Sequence, residues 1–192
     1  MEVLYTDKHF VVIVKPVGVD SEHDVPALLG GEIYPIHRLD KNVGGVMVYA
    51  RTKYAAAALS KAVQEGAMVK EYVATVHGTP PESGDWTDLL FKDSSKNKVF
   101  VVKKERRGVK KARLEFRRLT AGPQSLVRIR LHTGRSHQIR VQFSSRGFPL
   151  VGDRKYGGKD EYTAPMLFSC CLTFPHKGQL LRFEQLPEWG TI

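Results

Sequence analysis

The chain has 192 residues, 42% of them hydrophobic and 26% charged, and 30 Lys+Arg against 20 Asp+Glu give it a formal charge of +10. That balance fits a folded globular protein and excludes a disordered one, and no run approaches the roughly 18 apolar residues of a membrane span. Met1 to Asp7 lack the basic and apolar regions of a signal peptide, and adjacent Cys170 and Cys171 exclude a disulfide framework, so a cytoplasmic protein is expected.

Phe10 to Val14 is a continuous apolar, β-branched run closed by Lys15-Pro16-Val17-Gly18, the pattern of a buried strand ending in a turn. Residues 18–35 are rich in Gly, Asp, Glu and Pro, with little apolar periodicity except around Ala27 to Leu29, and read mostly as loop. Val46 to Ala50 is a second buried strand. Lys53 to Glu65 is Ala-rich, with Leu59 and Val63 four apart and Gly66 as its stop, which predicts a helix. Val69 to Val76 alternates as a strand before Gly78-Thr79-Pro80-Pro81 ends it. Val99 to Val102, Ala112 to Leu119 and Leu126 to Leu131 follow as strands, then Ser136 to Arg146 as a short helix stopped by Gly147. Met166 to Phe174 and Leu180 to Phe183 complete the strands. With no repeat, low-complexity linker or break in composition, residues 1–192 read as one α+β domain.

The charge is local. Residues 92–118 hold twelve Lys/Arg, among them Lys103, Lys104, Arg106 and Arg107, and net +9; residues 128–146 add five arginines with no acid, so the remainder nets −4. A concentrated basic surface suits a polyanion, because each Lys or Arg releases counterions from a phosphate backbone, although a solvated, charge-rich hairpin has the same composition.

Three polar clusters lie in apolar context: His37-Arg38-Leu39-Asp40, Lys70-Glu71-Tyr72, and Thr133 to Arg140. A carboxylate at the mouth of a buried strand suits a nucleophile or base, and equally a loop cap or an ion-pair partner. Gly134 and Ser136 ahead of a helix suit an anion site, or simply a capping hydroxyl.

In this order the clusters resemble the RluA-like pseudouridine synthases. The family's His-Arg-Leu-Asp stands as residues 37–40, and its Lys-x-Tyr-x-Ala-x-Val-x-Gly as Lys70, Tyr72, Ala74, Val76 and Gly78. Its Leu-x-Thr-Gly-Arg-x-His-Gln-Ile-Arg stands as Leu131, Thr133 to Arg135 and His137 to Arg140; its Gly-x-Pro-Leu-x-Gly-Asp-x-x-Tyr-Gly as Gly147, Pro149, Leu150, Gly152, Asp153, Tyr156 and Gly157. Two positions depart from the pattern: Val43-Gly44-Gly45 replaces a Thr-Ser-Gly step, and Gln142 stands where a second histidine is usual.

The resemblance implies a pseudouridine synthase fold, an α+β domain on a mixed, largely antiparallel sheet with flanking helices and a central RNA-binding cleft. It implies isomerisation of uridine in structured RNA, rRNA or tRNA, by a cytoplasmic monomer needing no metal, cofactor, membrane or protein partner. It also implies that no separate N-terminal RNA-binding domain precedes the resemblance, which begins at Leu4. Asp40 is the implied nucleophile or base, Tyr72 the residue that stacks on the turned base and takes the ring-carbon proton, and Arg135 the cation that keeps the carboxylate ionised. Arg38 would fill the space left by the extruded nucleotide, and His37, Arg140, Lys103, Lys104, Arg106 and Arg107 would contact RNA. Two readings compete: a non-catalytic RNA-binding or ribosome-assembly protein on the same fold, and a metal-dependent nuclease, for which no His, Cys or Asp pair has a ligand spacing.

Overall fold

The protein was analysed as a computed structural model, which describes residues 1–158 and 160–190. In chain order its elements are β1 (Glu2–Thr6), β2 (Phe10–Lys15), α1 (Asp24–Leu29), β3 (Tyr34–Pro35), β4 (Gly44–Ala50), α2 (Lys53–Gln64), β5 (Val69–His77) and β6 (Ser83–Asp93). There follow β7 (Lys98–Val102), β8 (Val109–Arg118), β9 (Gln124–Leu131), α3 (Gln138–Ser144), β10 (Leu167–His176), β11 (Gln179–Glu184) and one 3₁₀ turn, Glu188–Gly190. The chain divides into two compact units, Met1–Glu71 with Phe168–Ile192, and Tyr72–Leu167. Composition offered no sign of that division. Among the described residues no helix is long and apolar enough to cross a membrane.

In the first unit β2 lies between β1 and β4, antiparallel to both, and pairs with β4 from Phe10–Ala50 to Lys15–Gly45. β4 runs parallel to β10 at Gly44–Phe168 and Gly45–Ser169, and β10 turns back antiparallel into β11. All seven residues of β4 are buried, as an uninterrupted apolar strand requires when both its faces are covered. Gly45 is needed there: its φ is +130°, and a Cβ would lie 2.4 Å from the Ser169 carbonyl oxygen.

α2 begins where the Thr52 hydroxyl accepts the Ala55 amide and buries Ala55, Leu59 and Ala62, an i, i+4, i+7 stripe. That stripe packs with Phe10, Val12, Val46, Val48, Met68, Leu172 and Phe174 into one core. Truncating a side chain so placed, such as Leu59, costs about 2–5 kcal/mol. Residues 18–35 are not wholly loop, since α1 and β3 form within them. α1 buries only Val25, and the turn before it is held by the Asp20 carboxylate, which accepts the Glu22 and His23 amides.

In the second unit the strand order is β5-β9-β8-β6-β7, and the β9–β8, β8–β6 and β6–β7 pairs are antiparallel. β6 was not expected from the sequence. It opens with Ser83-Gly84-Asp85, which reads as a turn, yet Gly84 is there because a Cβ would press on the Phe116 ring at 2.4 Å. The Trp86, Phe116 and Phe143 rings form an edge-packed cluster with centroids 4.4–5.2 Å apart. α3 is shorter than the expected Ser136 to Arg146. His137 adopts a left-handed φ of +51° and stands as its N-cap without a side-chain cap bond.

Candidate active site

Asp40 lies, partly exposed, in the loop that leads into β4. On its N-terminal side the Ser21 hydroxyl accepts the Leu39 amide at 3.2 Å and donates to the Leu39 carbonyl at 3.0 Å, while Tyr49 donates to the Ser21 carbonyl at 2.8 Å. On its C-terminal side the Val43 amide closes a turn on the Asp40 carbonyl, and the Lys41 carbonyl accepts the Gly18 amide at 2.8 Å.

Beneath this turn sits Lys15, with no exposed surface. Its ammonium donates to the carbonyls of Pro16 (2.9 Å), Val19 (2.8 Å) and Lys41 (3.3 Å), joining two loops through one charge. Burial pushes its pKa down to about 8, against the pull of the Asp20, Asp40 and Asp24 carboxylates. The sequence showed Lys15 only as the end of an apolar strand. The residue is a buried cation in electrostatic contact with the candidate nucleophile.

His37 is fixed rather than presented. Its Nε2 accepts the Val48 amide at 3.3 Å, which places the proton of the neutral ring on Nδ1, an atom buried without a hydrogen-bond partner. Burial, helped by the nearby Lys70 charge, lowers its pKa to about 3. In the structure the ring supports the backbone of β4. Arg38 is half exposed, with Nη1 3.5 Å from Glu22 Oε2, a long surface pair worth little.

In the second unit Tyr72 is buried in β5, 6% exposed. Arg135 is exposed, and its turn is organised by the Gln138 side chain. Gln138 Oε1 accepts both the Arg135 amide (3.0 Å) and the Thr133 hydroxyl (2.8 Å), and its Nε2 donates to the Arg113 carbonyl (3.0 Å). Arg135 Nε then donates to the Lys111 carbonyl at 3.0 Å. The sequence placed Gln138 in the motif without showing that it is the hub of the turn.

Arg140 is 7% exposed, and its guanidinium forks onto Asp153 at 2.7 and 2.8 Å, an interior ion pair. Tyr156 joins three elements: its hydroxyl accepts the Val99 amide at 2.8 Å and lies 2.8 Å from His137 Nδ1. The departure at Gln142 has a local reason. Its Nε2 donates to Asp88 Oδ2 at 2.7 Å, and the same carboxylate pairs with Arg146, which stacks on Trp86. Lys103, Lys104, Arg106 and Arg107 are exposed in the turn between β7 and β8, with the Arg106 guanidinium 4.5 Å over the Phe91 ring. Among the described residues no group of three or more His, Cys, Asp or Glu side chains is placed to hold a metal ion.

The family model described as RNA pseudouridylate synthase matches residues 9–145, and the chain belongs to that family. It is 39% identical over 132 residues to an uncharacterised RNA pseudouridine synthase of Chloroflexus aurantiacus, covering 67% of this chain and 41% of that protein. It is 32% identical, over all of this chain and 65% of the relative, to ribosomal large subunit pseudouridine synthase D of Pseudomonas aeruginosa. The corresponding protein of Zymomonas mobilis is 33% identical, over 82% and 56%. The chain thus spans between two fifths and two thirds of the length of these relatives. Two solved human structures share the fold. RNA pseudouridylate synthase domain containing 4 has a TM-score of 0.81 and 24% identity, with 98% of this chain and 90% of that one covered; domain containing 1 has 0.83 and 23%, with 97% and 83% covered.

Proposed function

We propose that this chain converts uridine in structured RNA to pseudouridine, with Asp40 as nucleophile or base. The observation that carries the reading is the build of the Asp40 loop. Asp40 ends a family motif and stays partly exposed, and the backbone on either side of it is held by Ser21, Lys15 and Gly18.

The reaction breaks the bond between the uracil nitrogen and the ribose, turns the base and rejoins it through ring carbon five, so bond-making and bond-breaking balance without a redox partner. An ionised Asp40 either attacks and later leaves, or takes and returns a ribose proton. A cation behind the loop, Lys15, lies in electrostatic contact with Asp40. Tyr72 is proposed to stack on the turned base and accept the proton from ring carbon five, Arg135 to serve as the cation for the carboxylate, and Arg38 to fill the stack once the nucleotide is extruded. Lys103, Lys104, Arg106 and Arg107 supply phosphate attraction.

The relatives named for the ribosomal large subunit point to rRNA as the first substrate to try, with tRNA second. The same reading has the protein working in the cytoplasm as a monomer, without a cofactor.

The test is tritium release from RNA labelled at uracil carbon five. The parent protein releases tritium from total rRNA or tRNA, and Asp40→Asn binds the same RNA while release falls about 10³-fold or more. Binding without release by the parent protein would instead establish the non-catalytic reading.

A further inference from the structure

β6, β7 and β8 form an antiparallel ribbon in which cross-strand partners share a face. One face carries Leu90, Val99, Ala112 and Leu114, all buried, and is the core side, where Val141 of α3 and Tyr156 join the cluster. The other face is apolar and open. On it Leu89 stands opposite Val102 and Lys111, and Phe91 stands directly opposite Phe100 and Val109. Phe100 is 37% exposed, and the other apolar members are half-buried.

A solvent-facing aromatic pair on a sheet needs an occupant or a reason. The surroundings say which occupant. Arg106 lays its guanidinium over Phe91 at 4.5 Å, Lys98 Nζ lies 5.9 Å from the Phe100 ring centre and 5.3 Å from that of Tyr156, and Lys103, in the turn after β7, and Lys111, opposite Leu89, are exposed. Of the nearby carboxylates, Asp93 is engaged by Ser95 and the Lys96 backbone, Asp85 and Glu115 are engaged by Arg113, and Glu105 is exposed in the turn among four cations. A second copy of a chain of charge +10 would bring cations against cations. A polyanion with flat apolar rings meets both the charge and the shape, because bases stack on aromatic rings and on guanidinium planes while Lys and Arg take the phosphates.

The patch also adjoins the Arg135 turn. Arg135 rests on β8 through the Lys111 carbonyl. With strands about 4.8 Å apart, Phe91 and Phe100 stand roughly 5 and 10 Å from β8 across the ribbon.

We propose that this face is a stacking platform for unpaired nucleotides of the RNA, with Phe100 and the Arg106–Phe91 pair taking bases and Lys98, Lys103 and Lys111 taking phosphates. The platform rests on the reading that the chain acts on RNA and is independent of the chemistry at Asp40.

The experiment titrates the full chain, carrying Asp40→Asn to prevent turnover, with a labelled oligouridylate of about ten nucleotides and with the same oligomer made abasic. Phe100→Ala weakens oligouridylate binding about five- to tenfold and leaves abasic binding unchanged. Phe100→Trp retains affinity and adds a fluorescence signal that the base-bearing oligomer quenches and the abasic one does not. Phe100→Leu, which keeps the volume and loses the ring, behaves as Phe100→Ala and decides the matter if the alanine variant does not fold.

Equal oligouridylate affinity of the ring and ringless variants overturns the platform, as does an equal loss on the abasic oligomer. So does a Phe100-dependent attachment to anionic lipid vesicles with RNA binding unaffected, which would assign the face to a membrane. Tritium release by the chain with Asp40 intact is scored separately: its absence, with base-dependent binding present, overturns the isomerase reading and leaves the platform standing.

Discussion

The loop around Asp40 and the turn between β7 and β8 both present charge at the surface, and they are built by opposite means. Around Asp40 the backbone is held from both sides: Ser21 bonds both polar groups of Leu39, Lys15 and Gly18 both bond the Lys41 carbonyl, and one of those donors is a fully buried charge. Residues 103–107 instead form an exposed turn closed by the Val109 amide on the Arg106 carbonyl, with long cationic side chains projecting from it. A group that makes and breaks bonds must keep one geometry and one ionisation state, and it needs support from the interior. A group that attracts phosphate acts through a field that tolerates movement, so solvent suffices. The same contrast recurs between arginines of one unit, since Arg140 is locked on Asp153 and Arg107 is exposed.

Three measurements test this contrast, in order of the stability change expected. Arg140→Met leaves Asp153 buried and unpaired and lowers unfolding free energy by about 3–5 kcal/mol, whereas Arg107→Met stays within about 0.5 kcal/mol. Urea unfolding of both checks it, and similar midpoints would erase the distinction between the two arginines.

Next comes pH, where the two buried groups of the Asp40 region act in different windows. His37 titrates near 6.5 unfolded and near 3 folded, so between pH 7 and 5 the unfolded chain takes up a proton that the folded one refuses, and stability falls by about 2 kcal/mol. Lys15 has a folded pKa of about 8 against 10.5, so from pH 7 to 9 the folded chain loses its proton first and stability rises by about 1 kcal/mol. Unfolding midpoints against pH should flatten in the acid window for His37→Gln and in the alkaline window for Lys15→Met. A slope that survives the matching variant would remove that residue from the account.

Smallest in stability is reversal of Lys103, Lys104, Arg106 and Arg107 to Glu, within about 0.5 kcal/mol per site. Its effect lies in binding, where affinity for RNA falls and the slope of affinity against salt flattens by about 3. Unaltered affinity across a salt series would show that the turn does not grip RNA.

Continuous apolar runs made β2 and β4 legible, and the Ala-rich, four-spaced pattern with Gly66 made α2 legible, because these signals are local. β6 was hidden because its polar residues are satisfied far away in the chain: Asp85 by Arg113, and Asp88 by Gln142 and Arg146. The His37-Arg38-Leu39-Asp40 motif was readable as residues, yet its support was not. A lysine at the end of an apolar strand looks like a side chain reaching for water, and only the fold shows three carbonyls closing around Lys15. The Arg140–Asp153 pair was unreadable for the same reason, since the two become neighbours only once the chain has folded.

The absence of a side chain at Gly44 links these themes. A Cβ there would meet the Lys15 carbonyl at 3.1 Å and the Phe168 ring at 3.3 Å, distances at which a neighbour must yield by a few tenths of an ångström. The carbonyl belongs to the residue whose ammonium ties down the Lys41 carbonyl, one residue beyond Asp40. The serine usual at this position in the family would therefore do more than add a hydroxyl beside the carboxylate. It would push on the far end of its mounting, so that position 44 acts as an adjustment screw on the Asp40 loop, set in this chain to its lowest thread.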